Sequence, residues 1–297
     1  MLNADALQSH RFERLEQSYM PDQTILYALG VGLGSDPTDE FDLDFLIESR
    51  GKILPTYAAT LASPGMWIRD PAFGVDFTRL VHSQQAMTFH HRLPASATVC
   101  ATPRIAGLFD RGSERGAVVV IERQIADAET GIVYATASQT LLLRGDGGFG
   151  GAPPPFDAQV LPERRPDREV AIKVSSRAAL IYRLSGDRNP LHCEPDFARQ
   201  AGMERPIMHG LAIYGMAGQA IIRTFGATLE SLSCRFAGIV YPGDQLRFQF
   251  WIAGSDVKFI ASVGERLVLD RGVSRMGGYP HPSSTNHQNN LARIETL

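Results

Sequence analysis

Cysteine is scarce in this sequence of 297 residues: Cys100, Cys193 and Cys234 are the only three, and no two of them stand in a CxxC spacing. That scarcity excludes a disulfide framework and a four-thiolate zinc site, and it points to a reducing compartment. No charge of one sign dominates, with 29 Lys and Arg against 32 Asp and Glu for a formal net charge of −3. A general nucleic-acid binder would carry a basic surplus, so nucleic acid is not an expected partner. Long apolar runs are missing as well. The most apolar stretch, 210–225 (GLAIYGMAGQAIIRTF), is interrupted by Gln219 and Arg223, short of the ~20 apolar residues that a membrane span needs. The opening MLNADALQSHRFERLEQSYM carries charges throughout and has no apolar centre of a secretory signal. The expectation is a soluble, cytoplasmic protein with no membrane partner. What remains is an ordinary globular composition, 44% hydrophobic and 21% charged, with ample length for a substantial core.

The composition shifts at 145–169 (GDGGFGGAPPPFDAQVLPERRPDRE), where glycines and three consecutive prolines exclude helix and central strand. We therefore expect an N-terminal half over 1–150, a linker over 151–169, a C-terminal half over 170–276 and a poorly ordered polar tail over 277–297. Runs 97–109, 117–125 and 132–143 are rich in β-branched and apolar residues and are separated by turn formers, which predicts strands. After the linker an apolar helical stretch precedes further strand-like runs at 233–253, 257–263 and 266–273, the first of them interrupted by YPGD. Each half thus reads as a helix followed by an antiparallel meander, an α+β arrangement. The halves can be laid against each other, with 27–32 (YALGVG) on 182–187 (YRLSGD) and 55–59 (PTYAA) on 206–210 (PIMHG). The identities are few, but their shared order favours a duplication.

Chemistry concentrates in 182–198, YRLSGDRNPLHCEPDFA. Taken singly, Ser185, Gly186, Asp187, Asn189 and Pro190 are turn formers, and Asp or Asn side chains cap their own backbone. Together, Asp187, Asn189 and His192 place a carboxylate, an amide and an imidazole in one proline-braced loop. Aspartate is charged near pH 7 and histidine is poised near it, so the pair can move a proton in both directions. That trio suits holding and polarising one water molecule. Gly210 then stands where the apolar helix begins, and free amides at a helix N-terminus stabilise negative charge developing on an oxygen. Gly215 and Gly218 read as packing residues.

SGDRNPLHCEPDFA followed by PIMHGLA resembles the signature of the (R)-specific enoyl-CoA hydratases, the hydratase 2 group of the MaoC-like dehydratases. YALGVGLGSDPTDEFDLDFLIE, LPTYAAT, DFTRLVHSQQ and GGFGG resemble that family's non-catalytic half, so the likeness covers roughly residues 20 to 275. It implies a double hotdog fold, with an antiparallel sheet wrapped around a long helix in each half. It implies Asp187, His192 and Asn189 as the active-site set and the Gly210 amide as the group that polarises the thioester carbonyl, with His209 beside it at the substrate. The implied reaction is reversible hydration of a trans-2-enoyl-CoA to a (3R)-3-hydroxyacyl-CoA, with no metal or redox cofactor and coenzyme A carried by the acyl-CoA substrate. Glu194 stands where many members have aspartate, a mild departure. The family also suggests a homodimer. The closing Glu295-Thr296-Leu297 is not a peroxisomal address, which suggests a stand-alone enzyme.

Under the repeat alignment Gly32 takes the place of Asp187, and Ala58-Ala59 that of His209-Gly210, so one active site per chain is expected, with the first half enlarging the acyl pocket. Alternatives are a dehydratase acting on carrier-protein-linked, branched or steroid acyl thioesters, a thioesterase on the same fold, or a non-catalytic acyl-CoA-binding protein. A metal site at Asp187, His192 and His209 has no HxxxH spacing behind it. His90-His91 reads as solvent-facing or one layer behind the site. Cys193 adjoins His192 in sequence, and neighbours in sequence usually point apart.

Overall fold

The computed structural model describes residues 2–155 and 160–277, so the expected polar tail lies outside the described residues except for Gly277, which closes the last strand. The first half contains helix α1 (Ala4–Ser9), strand β1 (Leu15–Tyr19), helices α2 (Pro21–Gly30) and α3 (Glu40–Leu46), and strands β2 (Leu80–Phe89), β3 (Ala97–Ala101), β4 (Arg104–Asp110), β5 (Ala117–Asp127) and β6 (Val133–Leu143). The second half contains β7 (Arg168–Lys173), α4 (Ala178–Tyr182), α5 (Pro195–Gln200), α6 (Gly210–Phe225), β8 (Thr228–Phe236), β9 (Gln245–Ala253), β10 (Asp256–Val263) and β11 (Arg266–Gly277). The expected linker thus ends two residues inside β7.

All the strands join one antiparallel sheet of order β1-β3-β5-β6-β2-β8-β11-β10-β9-β7, with β4 also on β5. The seam is β2 on β8, paired from Gln84↔Arg235 to Thr88↔Ser231. Outward from that seam the chain-order ranks are the same on both sides, β2-β6-β5-β3-β1 against β8-β11-β10-β9-β7. The shared topology supports the duplication far better than the few identities do.

Helix α6 is where the two halves meet. Residues 212–221 are all buried, and a helix that is apolar all round must be enclosed on every side. Its glycines explain the closeness: a Cβ on Gly215 would stand 2.5 Å from Tyr27 Oη and 2.6 Å from Val31 Cγ1, and one on Gly218 would stand 2.6 Å from Thr56 Cγ2. First-half side chains therefore press onto the second half's helix. Gly226 ends it in the left-handed conformation (φ 60°), its N–H donating to Ile222 O at 2.9 Å. Arg223 reaches back to Asp39 and Asp42 of the first half and lies over the Phe41 ring.

The expectation of a long helix in each half is not met. At the position aligned with α6 the first half has a 3-10 turn, Pro55–Thr60, and the chain leaves it through Ala62 at φ 44° and the Pro64-Gly65 pair. Proline lacks the amide a helix needs, and Pro71 comes too soon for another start. The run 97–109 is two strands because Thr102-Pro103 breaks it. Among the described residues no helix is long and apolar enough to cross a membrane.

Candidate active site

The loop between α4 and α5 is shaped by its own side chains. A 3-10 turn, Arg183–Ser185, ends at Gly186 with φ 120°, a conformation that L side chains rarely adopt. Asp187 Oδ1 then accepts the Asn189 N–H at 3.1 Å, and Asn189 Oδ1 accepts the Leu191 N–H at 3.1 Å, capping the 3-10 turn Pro190–His192. The turn-forming reading of Asp187 and Asn189 is therefore realised. Each also keeps chemistry in hand, a second carboxylate oxygen on Asp187 and the amide Nδ2 on Asn189.

His192 is 8% exposed, and its Nδ1 donates to Ile207 O at 2.9 Å. A carbonyl only accepts, so that bond puts the proton on Nδ1 and leaves a lone pair on Nε2. Burial lowers the His192 pKa, against the opposing pulls of the Ile207 carbonyl and the Asp187 charge. Behind it stands His209, 1% exposed, the two rings stacked with centroids 3.7 Å apart and planes 28° apart. His209 Nε2 donates to Asp187 O at 3.1 Å, and its ring also meets Tyr182, with centroids 4.9 Å apart. Burial pushes the His209 imidazole down to about 3, with His192 adding to the effect. His209 is thus neutral and braces both the loop backbone and the His192 ring.

Gly210 is the first residue of α6, and no side chain caps that end. Its N–H is one of the first-turn amides without an intrahelical acceptor, available to a developing oxyanion. Asp187, His192, His209 and Gly210 are thus brought to one place.

Asp187, His192 and His209 offer donor atoms within 4.8 Å of one another. An imidazole binds an ion along a lone pair in its ring plane, and lone pairs of two stacked rings run alongside each other instead of converging. His209 Nε2 is already committed to Asp187 O at 3.1 Å.

The chain has relatives along both halves. Residues 17–145 match the MFE-2 hydratase 2 N-terminal domain and residues 157–270 match the MaoC like domain. It is 36% identical to "Enoyl-CoA hydratase ChsH3" of Mycobacterium tuberculosis, over 84% of this chain and 88% of that one. It is 38% identical to "3-hydroxyacyl-thioester dehydratase Y" of the same organism, over 84% and 90%. The chain belongs to the MaoC-like dehydratases of the hydratase 2 type. A crystal structure of a MaoC-like dehydratase from Phytophthora Capsici superimposes with a TM-score of 0.80 at 26% identity, covering 93% of this chain and 99% of that one. A solved double hotdog protein of Mycobacterium tuberculosis shares the fold at 15% identity and a TM-score of 0.53.

In this MaoC-like dehydratase the aligned positions of the first half, among the described residues, lack the Asp187, His209 and Gly210 counterparts. Ala58 and Ala59 are buried, and Gly32 stands with φ 98° near Ile172, Met216 and Gln219. The carbonyls of Ala59 and Leu61 instead accept from the buried Arg123, at 2.6 and 3.2 Å. His90 and His91 are exposed at the end of β2, bonded to Thr136 Oγ1 and Val133 O. Sequence reasoning weighed that pair and missed His82 on the same strand. A bulge between His82 and Gln84 breaks the alternation that would have drawn attention to it.

Proposed function

We propose that this protein catalyses the reversible hydration of trans-2-enoyl-CoA to (3R)-3-hydroxyacyl-CoA at a single site formed by Asp187, Asn189, His192 and Gly210. The observation that carries this reading is the His192 ring, fixed through Nδ1 by Ile207 O so that Nε2 keeps its lone pair, with a ring nitrogen within 4.8 Å of an Asp187 carboxylate oxygen. Two acceptors side by side hold the two hydrogens of one water, and Nδ2 of Asn189 can donate to its oxygen. As that oxygen bonds to the β carbon, the Asp187–His192 pair takes a proton from it, and a proton is delivered to the α carbon. The pair ends the cycle as it began. Charge passing to the thioester oxygen meets the Gly210 N–H at the positive end of α6.

The 3-hydroxyacyl-thioester dehydratase among the relatives supports the same site running in reverse. Coenzyme A enters as part of the substrate, and no step of the hydration needs a metal or redox group. The free thiols Cys100, Cys193 and Cys234 suit a reducing, cytoplasmic setting in acyl-chain metabolism.

Product analysis in deuterated water tests the reading. Crotonyl-CoA should give the (3R)-3-hydroxy thioester with one deuterium at the α carbon and the thioester intact. A (3S) product, or release of free coenzyme A, would overturn it.

A further inference from the structure

The catalytic loop and Gly210 belong to the second half, yet a first-half side chain reaches the same place. His82 stands at the bulge of β2, and its ring meets Phe236 edge-on, with centroids 5.0 Å apart and planes at 73°. Phe236 closes β8, and its ring atoms lie 3.4–3.5 Å from where a Cβ on Gly210 would stand. His82 and Gly210 are therefore separated by a single aromatic ring.

The groups facing His82 come from both halves. Burial lowers its pKa to about 4, helped by the charge of Arg123 and opposed by Gln84 O, the Asp187 carboxylate and the Gln85 side chain. The ring is neutral, and its Nε2 is held by Gln84 O at 2.9 Å. His82 is half-buried, so part of its side chain stays open to a ligand. An uncharged, oriented ring of this kind suits contact with an apolar acyl group.

If the hydratase reading holds, C1, Cα and Cβ of the substrate span from the Gly210 amide to the Asp187–His192 pair. Phe236 borders the Gly210 end of that span, and His82 packs edge-on against Phe236. We infer that His82 and Phe236 form a substrate-contacting wall beside the α carbon, so that the half without a catalytic loop shares in deciding how large a group at Cα is accepted. A 2-methyl branch would press on this wall, whereas an unbranched chain would pass it.

The test compares kcat/KM for a trans-2-enoyl-CoA and for its 2-methyl counterpart of equal length, in wild type, His82→Ala and Phe236→Leu. The ratio of branched to unbranched should rise by about tenfold or more in each variant, the discrimination that one methyl group typically carries. A general weakening of the fold would lower both substrates together and leave the ratio in place. An unmoved ratio in both variants overturns the wall while leaving hydration intact. A wild-type protein inactive on both thioesters overturns both readings. Should His82→Ala not fold, His82→Asn and Phe236→Leu carry the same comparison.

Discussion

Asp187 has two purposes in the proposed mechanism, since Oδ1 caps the loop at the Asn189 N–H and the second oxygen is left for the reacting water. Asp187→Asn keeps an oxygen for the cap and removes the carboxylate. Its kcat should fall by roughly two to four orders of magnitude, the usual worth of a general acid–base group, with the melting temperature nearly unchanged. At Gly210 a proline substitution separates backbone from side chain. Proline suits the first position of a helix, and His209 before it is already extended at ψ 134°. Gly210→Pro should therefore fold yet lose the one amide assigned to the oxyanion, lowering kcat by roughly 10²–10³-fold. Gly210→Ala keeps the amide and meets Phe236 at ordinary contact distance, 3.4 Å, so it serves as the steric control. Equal kcat for the two variants would remove the amide from the mechanism. At this scale the sequence was most legible, because Asp187, Asn189, His192 and Gly210 sit in one short ordered segment whose turn chemistry is local. His209 was legible as a neighbour of the site. Its burial behind His192, and so its bracing role, depends on a stack that only the folded chain creates.

The same glycines that mark α6 in the sequence govern how its neighbours dock. Gly215 and Gly218 let Tyr27, Val31 and Thr56 come within distances a Cβ would forbid. Gly215→Ala improves helix propensity but forces these buried groups apart. We expect a net loss of about 1–3 kcal/mol, the usual cost of overpacking a core, measured by urea unfolding. A variant at least as stable as wild type would show that the seam between α6 and the first half is loose. The bounds of α6 were readable, since glycine stands at both ends and the apolar run is continuous. β1, β2 and β7 were not predicted as strands. β1 and β7 are short, and along β2 only Gln85 and Met87 are buried while the bulge shifts the period. The first half's lost helix was hidden for a different reason. Laying 55–59 on 206–210 carried over the start of a helix but not its continuation, because Pro64-Gly65 stands against Gly215-Met216.

The two halves share one sheet and one enclosed helix, so we expect the described residues to unfold as one unit. Residues 170–277 alone would leave the Gly215–Gly218 face of α6 uncovered and should show no hydratase activity, and residues 1–150 alone lack the catalytic set. Activity from either piece would contradict the shared core. The interior also fixes how stability responds to acid. His82, His192 and His209 all have pKa values lowered by burial, to about 4 for His82 and about 3 for His209. The unfolded chain takes up protons on these histidines below its pKa of about 6.5, whereas the native state refuses them. Stability is then full above pH ~6.5 and falls as pH drops toward the folded values, by up to about 1.4 kcal/mol per pH unit for each histidine. Thermal melts from pH 7.5 to 4.5 should show this decline, and His209→Gln should flatten it. A decline unchanged by that substitution would remove His209 as a cause.

In the proposed mechanism one Asp187–His192 pair adds water to an enoyl thioester. The enoyl absorbance of crotonyl-CoA and of a longer trans-2-enoyl-CoA, followed after addition of wild-type protein or the Asp187→Asn variant, reads that step itself. Wild type should remove the band rapidly with no accompanying free thiol, and the variant should do so at least about a hundredfold more slowly. Equal rates for the two proteins, or thiol released in step with the absorbance, would contradict hydration by this pair.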